Sequence, residues 1–148
     1  MKKLILVFIF LFLLEESKSQ ENIFFTDSAL YADTSIYFAD SSLYSDETYH
    51  FTTSAISTDL TIYISETAFG NDFNVTDSGL NSDKSIVITD SALYADKSIH
   101  LTDSALYSDK TIYISDSPIG AGYSIYMSEK YNQTYKRIAA IISVYKLN

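Results

Sequence analysis

Apolar and polar positions alternate in short bursts along this chain, and the bursts return every thirteen residues. Thr111-Ile112-Tyr113-Ile114-Ser115 shows the unit: aliphatic side chains at every second position, with hydroxyls and an aromatic between them. Ser98-Ile99-His100-Leu101-Thr102 and Ser35-Ile36-Tyr37-Phe38-Ala39 repeat it. Period two with β-branched and aromatic residues predicts half-buried strands. Ile99 and Leu101 then share one face, and Ser98, His100 and Thr102 the other. Nine units follow one another, starting at Phe24, Tyr37, His50, Tyr63, about Asn74, Val87, His100, Tyr113 and Tyr126. The unit near Asn74 begins two residues early, which predicts one turn shortened by a dipeptide. Phe24–Ile36 and Val87–Ile99 agree at ten of thirteen positions, so the units are copies of one structural element.

Between strands the chain reads Asp-Ser-Ala-Leu-Tyr or a variant, and a second Asp follows at 33, 46, 59, 72, 83, 96 and 109. Asp and Ser bond to nearby backbone groups and favour corners. Leu30, Leu43, Leu80, Leu93 and Leu106, with Ile56, Phe69 and Ile119, form one apolar column, expected to be buried with the isoleucines. One unit cannot bury its own apolar face, whereas stacked or paired units can. Successive thirteen-residue units are therefore expected side by side, like residue against like. No stretch reads as a helix, and 137–147 (Arg-Ile-Ala-Ala-Ile-Ile-Ser-Val-Tyr-Lys-Leu) reads as a capping strand or as a piece that closes the array. The predicted class is all-β, a closed winding of tandem short strands, with an open β-solenoid as the alternative.

The N-terminus changes the picture of where this happens. Met1-Lys2-Lys3, the apolar run Leu4 to Leu14, and a polar tail with Ser17 and Ser19 have the layout of a secretory signal peptide, cut after Ser19. Eleven apolar residues span about 16 Å as a helix, against roughly 30 Å of hydrocarbon. Residues 1–19 are thus expected to direct export, to a secreted or periplasmic location, and 20–148 to form a single domain with no membrane segment after cleavage. That domain holds seventeen acidic and seven basic residues, and no Lys or Arg lies between Ser19 and Asp83. Such acidity repels phosphate backbones and argues against nucleic acid. With no cysteine, stability outside the cytoplasm rests on burial and backbone pairing.

Units of the form Tyr-apolar-Thr/Ser-Asp-Ser…Ala-Asp-Lys-x-Ile, with Ser128-Glu129-Lys130-Tyr131-Asn132-Gln133 near the end, resemble the bacterial septoil-knot domain family over about Phe24 to Leu147. That resemblance implies an all-β domain whose backbone forms a 7(1) torus knot, an exception to the rule that chains avoid threading. It implies no activity and no site residues. The third unit (Thr53 in place of Asp), the fourth (Glu66 to Asn71) and the eighth (Pro118, Gly120-Ala121-Gly122) depart from the pattern.

Candidate chemistry is spread evenly. Asp27, Asp40, Asp77, Asp90, Asp103 and Asp116, with Glu66 and Glu129, form a carboxylate column that suits Ca²⁺ if stacked, and otherwise serves as corner residues. Tyr31, Tyr44, Tyr94 and Tyr107 form one aromatic column; Tyr37, Tyr63, Tyr113 and Tyr126, with His50 and His100, form another. Exposed, they would suit a sugar or protein surface; stacked, they would stiffen the sheet. The histidines lack zinc spacing. The hydroxyl column Thr26, Thr52, Ser65, Thr76, Thr89, Thr102, Ser115 and Ser128 is too narrow and interrupted for an ice-binding array. No phosphate loop, nucleophile elbow or singled-out carboxylate pair is present. The reading is an exported, non-enzymatic structural or interaction domain, with no catalytic, cofactor or metal residues assigned. A protein or glycan surface is the expected partner class, and a calcium-stabilised repeat protein or a carbohydrate-binding module the alternative.

Overall fold

The computed structural model describes residues 19–128 and 133–148; the expected export segment and Glu129 lie outside them. Nine strands form: β1 (Glu21–Thr26), β2 (Thr34–Phe38), β3 (Glu47–Thr52), β4 (Leu60–Ser65), β5 (Phe73–Thr76), β6 (Lys84–Thr89), β7 (Lys97–Leu101), β8 (Lys110–Ser115) and β9 (Tyr123–Tyr126). All pair in parallel and close a barrel in the order β1-β5-β9-β4-β8-β3-β7-β2-β6. The mostly-β class and the closed form agree with the sequence, and closure removes the exposed edges of an open stack.

The neighbour relations do not agree with it. Successive units never pair; each strand sits two places from its predecessor, and the intervening place is filled by the other lap. Strands β6, β7, β8 and β9 occupy the gaps between β1, β2, β3, β4 and β5, so the chain circles the barrel nearly twice. Every connection except the lap closure between β5 and β6 thus steps over a second-lap or first-lap strand in the same way, and that closure steps over β1. Strand β5 alone is stepped over by nothing. Nor does like face like. At eight interfaces a residue at the base of one strand lies opposite one two residues further along its neighbour, as with Lys97 and Ile36 or Leu60 and Ile112. Only β1 and β5 meet base to base, Glu21 opposite Phe73. The accumulated stagger tilts the strands and widens the ring.

The inner face carries three rows. Its middle row holds Ile23, Ile36, Ile62, Ile86, Ile99, Ile112 and Ile125, all fully buried, with Tyr49 and Val75 completing it. A helix, α1 (Thr134–Tyr145), fills the lumen and replaces the expected capping strand. Ile138, Ala139, Ala140, Ile141, Ile142 and Ser143 are buried on consecutive positions, so the helix is enclosed on all sides. Its β-branched residues suggested a strand, but Ile138, Ile141, Ile142 and Tyr145 keep helical spacing, and enclosure overrides weak propensity. Two small side chains, Ala139 and Ala140, let it fit where a bulkier pair would press on the isoleucines.

Both helix ends are tied to the wall. Tyr135 packs on Phe51 with centroids 4.7 Å apart, Arg137 lies over Phe25 at 4.6 Å and Lys136 over Phe38 at 5.3 Å. At the other end Lys146 adopts a left-handed conformation (φ 52°), and Leu147 N–H donates to Ile142 O at 3.1 Å. Lys97 Nζ donates to Ser143 O at 2.6 Å, and Lys110 Nζ to Leu147 O and Asn148 Oδ1. Lys84 Nζ lies over the Tyr145 ring at 5.6 Å, so three lysines from consecutive units gather at the negative end of the helix dipole. Nearby, burial and then the Glu47 carboxylate push the Tyr49 hydroxyl well above the usual phenol range; burial and Glu21 do the same at Tyr145.

Candidate functional site: a belt of apolar tips

The eight connections between strands lie outside this packed core, and they draw on a shared set of three devices. The hydroxyl at the end of a strand bends the chain first. Thr26 Oγ1 accepts the Ser28 N–H at 3.1 Å, and Thr52, Thr89, Thr102, Ser65 and Ser115 do the same two residues ahead. In four connections a second hydroxyl repeats the bend: Ser41 accepts from Leu43 N–H, Ser54 from Ile56, Ser78 from Leu80 and Ser117 from Ile119. The hydroxyl column therefore makes corners, a role assigned from sequence to the adjacent Asp and Ser.

A single tight turn follows. Five connections make one 3-10 turn, as at Ala29–Tyr31 and Ala92–Tyr94. The expected short extended piece is therefore a turn. The other three are the departures noted in the third, fourth and eighth units. There the residue after the apolar tip takes a left-handed conformation, Ser57 at φ 60°, Gly70 at 76° and Gly120 at 82°. That backbone disfavours the bulky Tyr found at the same place elsewhere.

An aspartate clamp ends seven of the eight connections. Asp46 N–H donates to Ser98 O at 2.9 Å, while Asp46 Oδ2 accepts both the Ser98 N–H (2.7 Å) and its hydroxyl (2.8 Å). Asp33 holds Ser85 and Asp96 holds Ser35 in the same way. Asp59, Asp72, Asp83 and Asp109 grip Thr111, Ser124, Asn22 and Thr48. Every partner lies on the strand that the connection steps over. Backbone N–H donation, then the serine hydroxyl, holds the carboxyls of Asp33, Asp46 and Asp96 below their usual range. In the last connection Gly122 N–H reaches Thr61 O at 2.9 Å without a carboxylate. The connections are seven or eight residues long, and the one after β5 keeps seven, so the missing dipeptide is not in a turn. It comes out of β5, four residues long, the strand that no connection must clear.

With both flanks anchored inward, the middle of each connection points out. Leu30, Leu43, Ile56, Phe69, Leu80, Leu93, Leu106 and Ile119 are 82–91% exposed, which overturns their expected burial. Seven or eight residues suffice to step over a neighbour but leave no second layer under which these side chains could tuck. Tyr31, Tyr44, Tyr94 and Tyr107, beside four of the tips, are 75–79% exposed. The other aromatic column, Tyr37, Tyr63, Tyr113 and Tyr126, is half-buried on the outer sheet face, and so are His50 and His100. Each imidazole donates Nδ1–H to a carbonyl 2.9 Å away, at Thr102 and Ala39 respectively.

Asp27, Asp40, Asp77, Asp90, Asp103, Asp116 and Glu66 are exposed, one in every connection but the third, three residues before a tip. Among the described residues no three of His, Asp, Glu or Cys converge to hold an ion. Two recesses of about 290 and 250 Å³ open at the upper rim, one lined by Phe51, Thr102, Asp103 and Tyr135, the other by Phe38, Asp40, His100 and Lys136. The outside of the molecule is thus an encircling belt of large apolar tips set among carboxylates. Comparison of the chain with family models, with curated proteins and with solved structures gives no match, and identifies no septoil-knot family.

Proposed function

We propose that this is an exported, non-enzymatic domain that presents its belt of apolar tips to a partner. One observation carries the reading. All eight tips are large and apolar although none is needed to fill the core, and they vary among Leu, Ile and Phe. The next position reads Tyr, Tyr, Ser, Gly, Asn, Tyr, Tyr and Gly, changing chemical class as its backbone changes conformation. Copies that keep one chemical class at a place the core does not use point to a requirement on it. Eight large apolar side chains exposed at equivalent places support an interaction surface. A glycan-binding role would lean on the exposed tyrosines, which only four of the eight connections supply.

The versatile groups are committed to structure: seven aspartates to clamps, both imidazole Nδ1 atoms to carbonyls, and the hydroxyls to corners. That commitment supports a non-enzymatic role. The function is tested by placing a photo-crosslinking amino acid at position 93 or 106 in the producing cell, with position 146, at the end of the helix, as control. Discrete adducts from the tips alone are expected; adducts no stronger than at 146 would refute the belt as the working surface.

We infer a septoil, 7(1), winding of the backbone. The alternation supports it: each lap's connections step outside the other lap's strands, and the helix blocks passage through the middle. Joining residues 20 and 148 covalently and denaturing the ring tests it. A knotted ring migrates as a more compact coil than an unknotted ring of equal length, and identical migration would rule the knot out.

A further inference from the structure

The belt also constrains the chemistry of what covers it, and the inference rests on the belt being an interaction surface. We propose that its partner is a cationic amphipathic polypeptide segment, an apolar stripe flanked by Lys or Arg. Fourteen of the nineteen acidic residues of the chain, and none of its ten basic ones, lie on the eight connections. The six basic residues among those described are all elsewhere. Lys84, Lys97, Lys110, Lys136 and Arg137 attend the helix inside or at the rim, and Lys146 ends it. The fold has sorted its charges, with cations inward and anions on the belt.

The sorting is local as well as global. In the connection 90–96 the tip Leu93 has Asp90 three residues before and Asp96 three after, and the same holds for Leu30, Leu43, Phe69, Leu80 and Leu106. Each of these six apolar side chains stands between two carboxylates along the chain. The complement is an apolar side chain between two cations, which one face of a basic amphipathic helix provides every turn or two.

Other occupants fit less well. A second copy would bring the same carboxylates against these, and like charge at an interface is unfavourable. An anionic bilayer fails for the same reason. A neutral bilayer is flat, whereas the tips encircle the barrel, so a plane reaches only a minority of them. The strands, four to six residues long, also fall short of the ~9–11 that a spanning barrel uses.

The test uses the intact protein and a fluorescently labelled Leu/Lys peptide of about 18 residues, five helical turns, with all leucines on one face. A scrambled isomer of identical composition and a Leu/Glu counterpart serve as controls, with binding read by anisotropy. The amphipathic Leu/Lys peptide should bind at least about tenfold more tightly than its scrambled isomer, with affinity falling as salt is raised. The double substitution Leu93→Ser, Leu106→Ser should weaken binding and leave the melting point unchanged; Asp90→Asn, Asp103→Asn should weaken it and flatten the salt dependence. Absence of binding, equal binding of the scrambled isomer, or pelleting of the protein with phosphatidylcholine vesicles overturns the proposal. Equal binding of the Leu/Glu peptide overturns the charge argument alone. Binding indifferent to the leucine substitutions overturns the belt itself, which separates the two failures.

Discussion

Ile99 and Leu93 are both aliphatic, six residues apart, and nearly identical in bulk, yet the fold gives them opposite situations. Ile99 is wholly buried in the middle inner row against the helix; Leu93 is 89% exposed at a tip. Truncating Ile99 to alanine removes three carbons from a closed shell of isoleucines. The strands around it are pinned by clamps, so the space cannot collapse. A loss of about 3–4 kcal/mol is expected, within the 2–5 usual for such changes. Leu93→Ala removes a side chain that contacts mainly water, and surface changes of that kind stay within about 0.5 kcal/mol. Urea unfolding followed by tyrosine fluorescence measures both, the midpoint moving by the ratio of loss to slope. Equal destabilisation by the two substitutions would refute the placement of the tips outside the core. A silent Ile99→Ala would refute the closed inner shell.

Three further outcomes follow from the same geometry. Ser35→Ala deletes the hydroxyl that donates to both Asp96 and the Tyr94 carbonyl. It should cost about 1 kcal/mol in the same assay, more than an alanine at exposed Ser42. Asp33, Asp46 and Asp96 titrate below the ordinary value of 3.8 when folded, so their contribution is present above that value and is lost as pH falls through the lowered native range. The melting temperature should therefore be flat near neutrality and drop steeply below about pH 4, and a melt insensitive to acid in that range would exclude the clamps. Ala140→Leu forces a larger side chain against the lumen wall and should destabilise by about 1–3 kcal/mol, whereas a neutral or stabilising effect would mean the helix is not enclosed.

The strands were legible because period two is a local property: Ile99 and His100 declare opposite faces without reference to the rest of the chain. The connectivity was not. Strand partners lie 52 or 61 residues apart, and near-identical units make every pairing look equally good from sequence. The leucine column was misplaced because hydrophobicity is a preference, and a seven-residue connection clamped at its end by Asp96 has no interior to offer Leu93. The helix hid behind β-branched residues, though Ala139-Ala140 and the spacing of Ile138, Ile141 and Ile142 carried its signal. The lysines at 84, 97 and 110 stood out as a charge imbalance, but their role depends on a helix end that the strand pattern gave no reason to expect. Of the candidate site, the carboxylates and tyrosines were visible as columns, and what was missing was the knowledge that they sit around tips facing water.

The two-place advance from each strand to the next imposes a parity on the whole molecule. A walk that moves two seats at a time around a table fills every seat on its second circuit only if the number of seats is odd; with an even number it returns to places already taken. Nine satisfies this. Gain or loss of one thirteen-residue copy gives ten or eight, and a variant lacking 97–109 should lose the cooperative melt and compact size of the parent. Duplication, the easiest way for such a gene segment to lengthen, is therefore blocked one copy at a time, and descendants of this architecture must change length two copies at once.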